Sequence, residues 1–263
     1  MIPQAFITEW RQQAPWPSDA QVEQDLLLSR TLVMIFGDPV ISQHLAFRGG
    51  TALHKLFLQP SRRYSEDLDL VQREPGPIGP VFDAMHGVLD SWLGEPRRDQ
   101  AQGTTTLVYR VQSEGPPVVN LRLKIEINTR EHFSVRGLHP REYSMATRWF
   151  AGTCHIPTFT LEELLATKLR ALYQRRKGRD LFDLWLGLTE GKADAGSVED
   201  IFQHYMRAEG HHVSQAVFRD NVAAKLRHPG FLSDIPPLLV PGTPFDGPAA
   251  FELIDRELIS RME

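Results

Sequence analysis

The sequence predicts an α+β fold, with a mixed β-sheet flanked by helices in the first half and a helical second half. Three observations carry this. Residues 104–112 (TTTLVYRVQ) concentrate β-branched and aromatic residues, residues 121–127 (LRLKIEI) alternate strictly between apolar and charged, and from Thr160 onward the apolar spacing is helical. At 263 residues and 41% hydrophobic content the chain has ample material for a core.

The elements follow in order. Residues 20–47 place Val22, Leu26, Leu27, Leu32, Val33, Ile35 and Phe36 at helical spacing. Gly37-Asp38-Pro39 breaks that run before a shorter helix toward Phe47. FRGGTALHKLF turns at Gly49-Gly50 and resumes an amphipathic helix with Thr51 near its start. RYSEDLDLV (63–71) reads as a strand ended by Pro75-Gly76-Pro77. Residues 81–93 read as a helix, and Gly115-Pro116-Pro117 as a hairpin-like turn between the two later strands. TLEE at 160–163 is a capping signature, and helical stretches cover about 197–208, 214–227 and 249–261.

Composition excludes several classes. With 29 Lys+Arg against 33 Asp+Glu the formal charge is −4, so any polyanion site must be local. Cys154, the only cysteine, permits no internal disulfide and no Cys-based zinc cluster. The first residues lack a basic segment followed by an apolar stretch, and no run approaches bilayer length, so a cytoplasmic protein without membrane contact is expected. His211-His212 has no metal-ligand companion at suitable spacing. Trp10 and Trp16, exposed-looking beside proline, either staple the N-terminal helix or bind a partner.

The acidic strand carries the chemistry. Side chains alternate faces along a strand, so Asp67 and Asp69 share one face while Leu68 and Leu70 take the other. Two carboxylates about 6–7 Å apart repel unless solvent or a cation neutralises them, and hard divalent cations favour such oxygen ligands. An isolated D-x-D also fits a solvated acidic edge. In LRLKIEI, Arg122, Lys124 and Glu126 share a face, and Glu126 becomes a third carboxylate if that strand neighbours the first; otherwise it is a surface partner of Lys124 or Arg122. Gly49-Gly50-Thr51 opens a helix just before the acidic strand. Unpaired N–H groups and the helix dipole favour an anion there, and glycine lets a phosphate approach the backbone.

Residues 160–185 read as a basic helix. Leu161, Leu164, Leu165 and Leu172 form an apolar stripe with Lys168 inside it, and the same line meets Arg175 and Arg179. A lysine on an inward face needs an anion, either a structural carboxylate or a bound phosphate. Helical i, i+4 pairing joins Arg176 to Asp180 and Arg179 to Asp183.

GGTALHKL, RRYSEDLDL, KIEIN and KLRALYQRRKGRDLFDL resemble, in order, spacing and residue type, the AbiEii/AbiGii-type (MenT-like) nucleotidyltransferase toxins over about residues 45–186. The resemblance implies a nucleotidyltransferase-like α/β lobe over 1–155 and a helical lobe over 156–263 that completes the active site. It implies that Gly49, Gly50 and Thr51 hold a triphosphate with Ser65 near it, and that Asp67 and Asp69 bind Mg²⁺ or Mn²⁺. Glu126 would stand at the third acid, where many superfamily members carry Asp. Lys168 and Arg175 would meet the nucleotide, with Asp180 beside them, and Lys168 and Asp183 are the expected essential pair of the basic-helix motif. The implied activity is metal-dependent transfer of an NMP from an NTP, with tRNA 3′ ends as acceptor and translation inhibition as outcome. A cognate antitoxin, or a phage-defence setting, is the implied context. Alternatives remain open on residues alone: transfer to a protein or small molecule, or a catalytically silent partner-binding module of the same fold. Glycosyltransferase D-x-D usually follows a doubly wound sheet, and no such pattern precedes it here.

Overall fold

The computed structural model describes residues 2–101, 103–115 and 117–262. Two compact units make up the chain, Met1–Phe159 and Thr160–Glu263.

The first unit is built on a mixed seven-stranded sheet. In chain order it runs α1 (Gln4–Trp10), α2 (Asp19–Gly37), α3 (Pro39–His44), β1 (Leu45–Arg48), α4 (Gly49–Leu56), β2 (Asp67–Gln72) and α5 (Gly79–Leu93). It continues with β3 (Arg97–Ala101), β4 (Thr104–Gln112), β5 (Asn120–Asn128), β6 (His139–Ala146) and β7 (Ala151–Thr158). The sheet order is β3-β4-β5-β2-β1-β7-β6. β2 pairs parallel with β5 and β1 parallel with β7, whereas β1–β2, β3–β4, β4–β5 and β6–β7 are antiparallel. Leu68, Leu70, Leu107, Tyr109, Leu123, Ile125 and Ile127 form one buried sheet face. α5 covers its β3–β4 end: the Arg98 guanidinium lies 4.2 Å from the Phe82 ring centroid, and Tyr109 donates to Asp90 at 3.2 Å.

α2 starts at a reciprocal cap between Ser18 and Gln21 and buries Val22, Leu26, Leu28, Leu32 and Ile35. It also buries Asp25, which accepts from Trp10 Nε1 and Lys55 Nζ, each at 2.7 Å. Burial pushes the Lys55 ammonium down, but the adjoining Asp25 carboxylate outweighs it and the net shift is upward. Because Lys55 belongs to α4, this pair fastens the helix after the glycine turn to α2. Trp10 and Trp16 are 4% and 2% exposed, the latter edge-on to Tyr64 at 5.7 Å; both are staples of the core, not surface residues.

Several elements differ from the sequence expectation. The helix toward Phe47 stops at His44, and Leu45–Arg48 is a strand. Leu45, Ala46 and Phe47 are fully buried and paired with β2, and Phe47 also with Thr158 of β7, so the ladder overrides a segment too short to show a period. The acidic strand begins at Asp67 and not at Arg63. β3, β6 and β7 add to the strands expected; the first two are mostly exposed and lack an apolar alternation. The anticipated lobe boundary after residue 155 falls inside β7. Of the Gly115-Pro116-Pro117 turn, Pro116 lies outside the described residues, while Ser113 N donates to Val119 O at 2.9 Å across the hairpin.

The second unit is helical: α6 (Leu161–Gln174), α7 (Gly178–Thr189), α8 (Ala195–Ala208), α9 (Gln215–Leu226) and α10 (Gly247–Glu257). Thr160 Oγ1 accepts from Glu163 N at 3.2 Å, and the Glu163 carboxylate accepts from Tyr205 at 2.8 Å. The expected continuous helix over 160–185 is broken at Arg175–Lys177. Gly178 opens the second piece: its N–H donates to Asp234 Oδ1 at 3.0 Å, and a Cβ there would press on the Phe231 carbonyl. Contacts more than fifty residues away in sequence thus set the break. Among the described residues no helix is long and apolar enough to cross a membrane.

Candidate active site

The parallel pairing of β2 with β5 sets the site. Residues directly opposite in a ladder share a face, and the registers align Arg48, Asp69, Glu126, Thr106 and Asp99 in one row across β1, β2, β5, β4 and β3. The next row reads Asp67, Lys124, Val108, Arg97. The three predicted carboxylates are therefore brought onto one sheet face in adjacent rows, all half-buried.

A cation already lies among them. Lys124 is ion-paired with Glu126. Its burial lowers the ammonium's pKa, but the hydrogen bond to Glu126 and the fields of Asp67 and Asp69 outweigh that and raise it. Glu126 thus meets both sequence readings, adjacent to the aspartates and paired with Lys124.

The glycine turn abuts this row. Gly49 has φ +80°, and a Cβ on it would overlap Asp69 Oδ2, so this position requires glycine both for conformation and for space. α4 begins at Gly49 with no side-chain cap, leaving the first-turn N–H groups of Gly49, Gly50 and Thr51 without intrahelical acceptors. Thr51 is 1% exposed; its hydroxyl donates to the Asp67 carbonyl at 2.5 Å and lies 2.8 Å from Ser65 Oγ. Thr51 and Ser65 therefore pin the start of β2 to the glycine turn. Arg48 Nη1 lies 2.5 Å from Glu131, whose backbone N–H is itself held by Asn128 Oδ1 at 3.0 Å. Sequence reading passed over Arg48 and Glu131; the only signal was a charged residue immediately before the glycine pair.

In the helical unit, Lys168 is 6% exposed and ion-paired with Asp180 Oδ1 at 3.1 Å and Asp183 Oδ2 at 2.9 Å. Arg175, just past the end of α6, grips Asp180 with two bonds of 2.7 and 2.8 Å. Burial raises the Asp180 carboxyl's pKa, but Lys168 and Arg175 outweigh it and hold the group below the usual carboxylate range. Lys168 has found structural carboxylates. The expected Arg176–Asp180 and Arg179–Asp183 pairs do not form among the described residues, because the helix break removes Arg176 from the i, i+4 frame and Lys168 supplies the partner instead. Lys225 Nζ donates to the Leu172 and Tyr173 carbonyls at the end of α6; burial and Arg176 push its pKa down to about 8.

The profile of the nucleotidyl transferase AbiEii toxins of type IV toxin–antitoxin systems matches residues 30–254. The chain belongs to the AbiEii nucleotidyltransferase toxin family. Among solved structures, MenT4, a nucleotidyltransferase toxin from Mycobacterium tuberculosis, superposes with a TM-score of 0.67 at 15% identity, covering 100% of this chain and 91% of its own. JHP933 from Helicobacter pylori gives 0.52 at 17% identity, covering 92% of both chains. These likenesses show the fold. No curated protein matches the chain by sequence.

The AbiEii donor set suits a hard divalent cation, since Asp67 and Asp69 present carboxylate oxygens on one face beside an uncapped helix start. Among the described residues no three His, Cys, Asp or Glu side chains already converge as an ion cage.

Proposed function

We propose that this chain moves an NMP from an NTP onto an acceptor hydroxyl, the 3′ end of a tRNA, and that it acts as the toxin opposed by a cognate antitoxin. The single observation that carries the reading is the register of Asp69 opposite Glu126 with Gly49 pressed against Asp69, which joins an anion cradle to a carboxylate set. Asp67 and Asp69 would hold Mg²⁺ or Mn²⁺, with Glu126 joining when Lys124 turns aside. When bound, such an ion supplies charge neutralisation of the triphosphate and acidifies the attacking hydroxyl.

The chain's own groups do the positioning. The first-turn N–H groups of Gly49, Gly50 and Thr51 donate to phosphate oxygens at the positive end of α4. The Thr51–Ser65–Asp67 contacts keep that cradle in fixed register with β2, so nucleotide and carboxylates meet without reorganisation. Arg48, anchored by Glu131, holds the strand end from which the glycine turn departs. Lys168 and Asp183 enter as residues that transfer requires, together with Arg175, through the network in which each fixes the others.

The test is transfer of label from each α-³²P NTP, with Mg²⁺, onto total tRNA, comparing wild type with Asp67→Ala. Labelled RNA from the wild type alone is expected. Equal labelling by both proteins, or label on protein with none on RNA, would overturn the reading.

A further inference from the structure

One row beyond Asp67 and Lys124, the same sheet face carries an arrangement that a sheet avoids. Arg110 on β4 and Arg122 on β5 stand directly opposite each other, both exposed. Like charges facing across an antiparallel pair are destabilising. Neither forms an ion pair among the described residues, whereas Lys124, one row away, is paired with Glu126. The two arginines line a groove of about 520 Å³ with Asn120 and with Arg97, whose own partner is the exposed Asp99 at 3.0 Å. In a chain of net charge −4, this is a local concentration of guanidinium groups that favours an external anion.

We infer that this groove is a binding track for the backbone of a polynucleotide, with phosphates on Arg110, Arg122 and Arg97 and the strand's terminal hydroxyl directed toward Asp67 and Asp69. The inference rests on the nucleotidyltransferase reading for the fate of that hydroxyl, but not for the groove's affinity. Guanidinium forks match phosphate and carboxylate oxygens alike, so the arginines by themselves require only an anion. What chooses a polynucleotide over an acidic peptide is the course of the track, which runs along β5 from Arg122 to Glu126, four residues or about 13 Å. A peptide's carboxylates extended along it would meet Asp67, Asp69 and Glu126 and be repelled, while a nucleic acid arrives there with a neutral hydroxyl. The acceptor is thus gripped on the sheet of the first unit, by residues outside the basic stretch 168–179.

The experiment measures fluorescence anisotropy of a labelled RNA hairpin with a single-stranded 3′ tail, over a salt series, with wild type, Arg110→Gln/Arg122→Gln and Asp67→Asn. The arginine variant is expected to bind at least about tenfold more weakly, and its log K against log salt slope to shrink by about 1.4, two single-strand contacts at 0.7 each. Its melting temperature is expected to equal or exceed the wild type's, since a like-charge pair is gone. Asp67→Asn is expected to lose nucleotide transfer and keep RNA affinity. The groove assignment falls if wild type does not bind the RNA, if the arginine variant keeps affinity and slope, or if poly-glutamate of matched charge displaces the RNA as well as competitor RNA does. A groove that behaves as expected in a protein without transfer activity would sink the enzymatic reading and leave the track standing. Transfer that survives alongside an unaltered arginine variant would do the reverse.

Discussion

The sheet face and the α6–α7 junction both gather charges and treat them in opposite ways. At the junction, Lys168 lies between Asp180 and Asp183 and Arg175 closes on Asp180, so two cations and two anions compensate one another at 0% exposure of both carboxylates. On the sheet, charges of one sign cluster: Asp67, Asp69 and Glu126 in adjacent rows and Arg110 against Arg122 beyond them, with Lys124 and Arg48 as cations beside the acids. A buried network must be neutral to exist, because an uncompensated ion there costs several kcal/mol. A half-exposed face can tolerate like-charge rows at modest cost, and a chain that keeps them keeps a site for something of opposite charge.

The largest effect should come from unbalancing the buried network. Asp183→Ala leaves Lys168 short of a partner and should cost about 3–5 kcal/mol by urea denaturation. The combined replacement Lys168→Met/Asp180→Leu/Asp183→Leu should recover most of that, since well-packed apolar groups often equal or exceed a buried ion pair. Expected alongside is loss of nucleotide transfer even in the stable triple variant. Full activity there would reduce the network to scaffolding and sharpen the contrast with the sheet.

Next comes the glycine turn. Gly49→Ala forces an L-residue to φ +80° at about 1–2 kcal/mol and drives its methyl into Asp69. Transfer should fall by at least about tenfold, more than the stability loss explains, because a displaced carboxylate misplaces the reacting groups. A variant that melts lower yet turns over normally would separate Gly49 from the site.

The two regions should also differ in acid. The Asp180 carboxyl titrates below its unfolded value, so its contribution is complete above about pH 4 and is lost as pH falls through the lower folded-state pKa. Below about pH 4, wild type should lose stability more steeply than Asp180→Asn, by up to one proton's worth of slope. Parallel stability curves for the two proteins would contradict the ion-pair account.

Much of the acidic face was legible because strand alternation is local. EDLDL and LRLKIEI each reveal which charges share a side, and the register confirmed that the two sides are one. What remained hidden depends on distant partners. β1 is four buried residues whose strand character comes from β2 and β7. The break before Gly178 is decided by Phe231 and Asp234, and without it the anion for Lys168 stayed open between a carboxylate and a phosphate, and Arg175 continued a helical line. Arg110 belonged visibly to a strand, but its confrontation with Arg122 depends on the hairpin register, which is a property of the pair and of neither strand alone.

Lys124 offers the smallest effect and the most direct reading of the sheet. Its ammonium neutralises part of the acidic cluster without any ligand, at the position where a bound cation would do the same. Lys124→Met should lower the stability of the protein in EDTA by no more than about 1 kcal/mol, the scale of a partly exposed ion pair. In Mg²⁺ the order should change: with the tethered cation gone, Asp67, Asp69 and Glu126 gain more from a divalent ion, so the rise in melting temperature between EDTA and 10 mM MgCl₂ should be larger in the variant than in wild type. The comparison needs no substrate and no turnover. An equal rise in both proteins would mean that Lys124 and the metal do not compete, and that the carboxylates meet the ion somewhere the lysine does not reach.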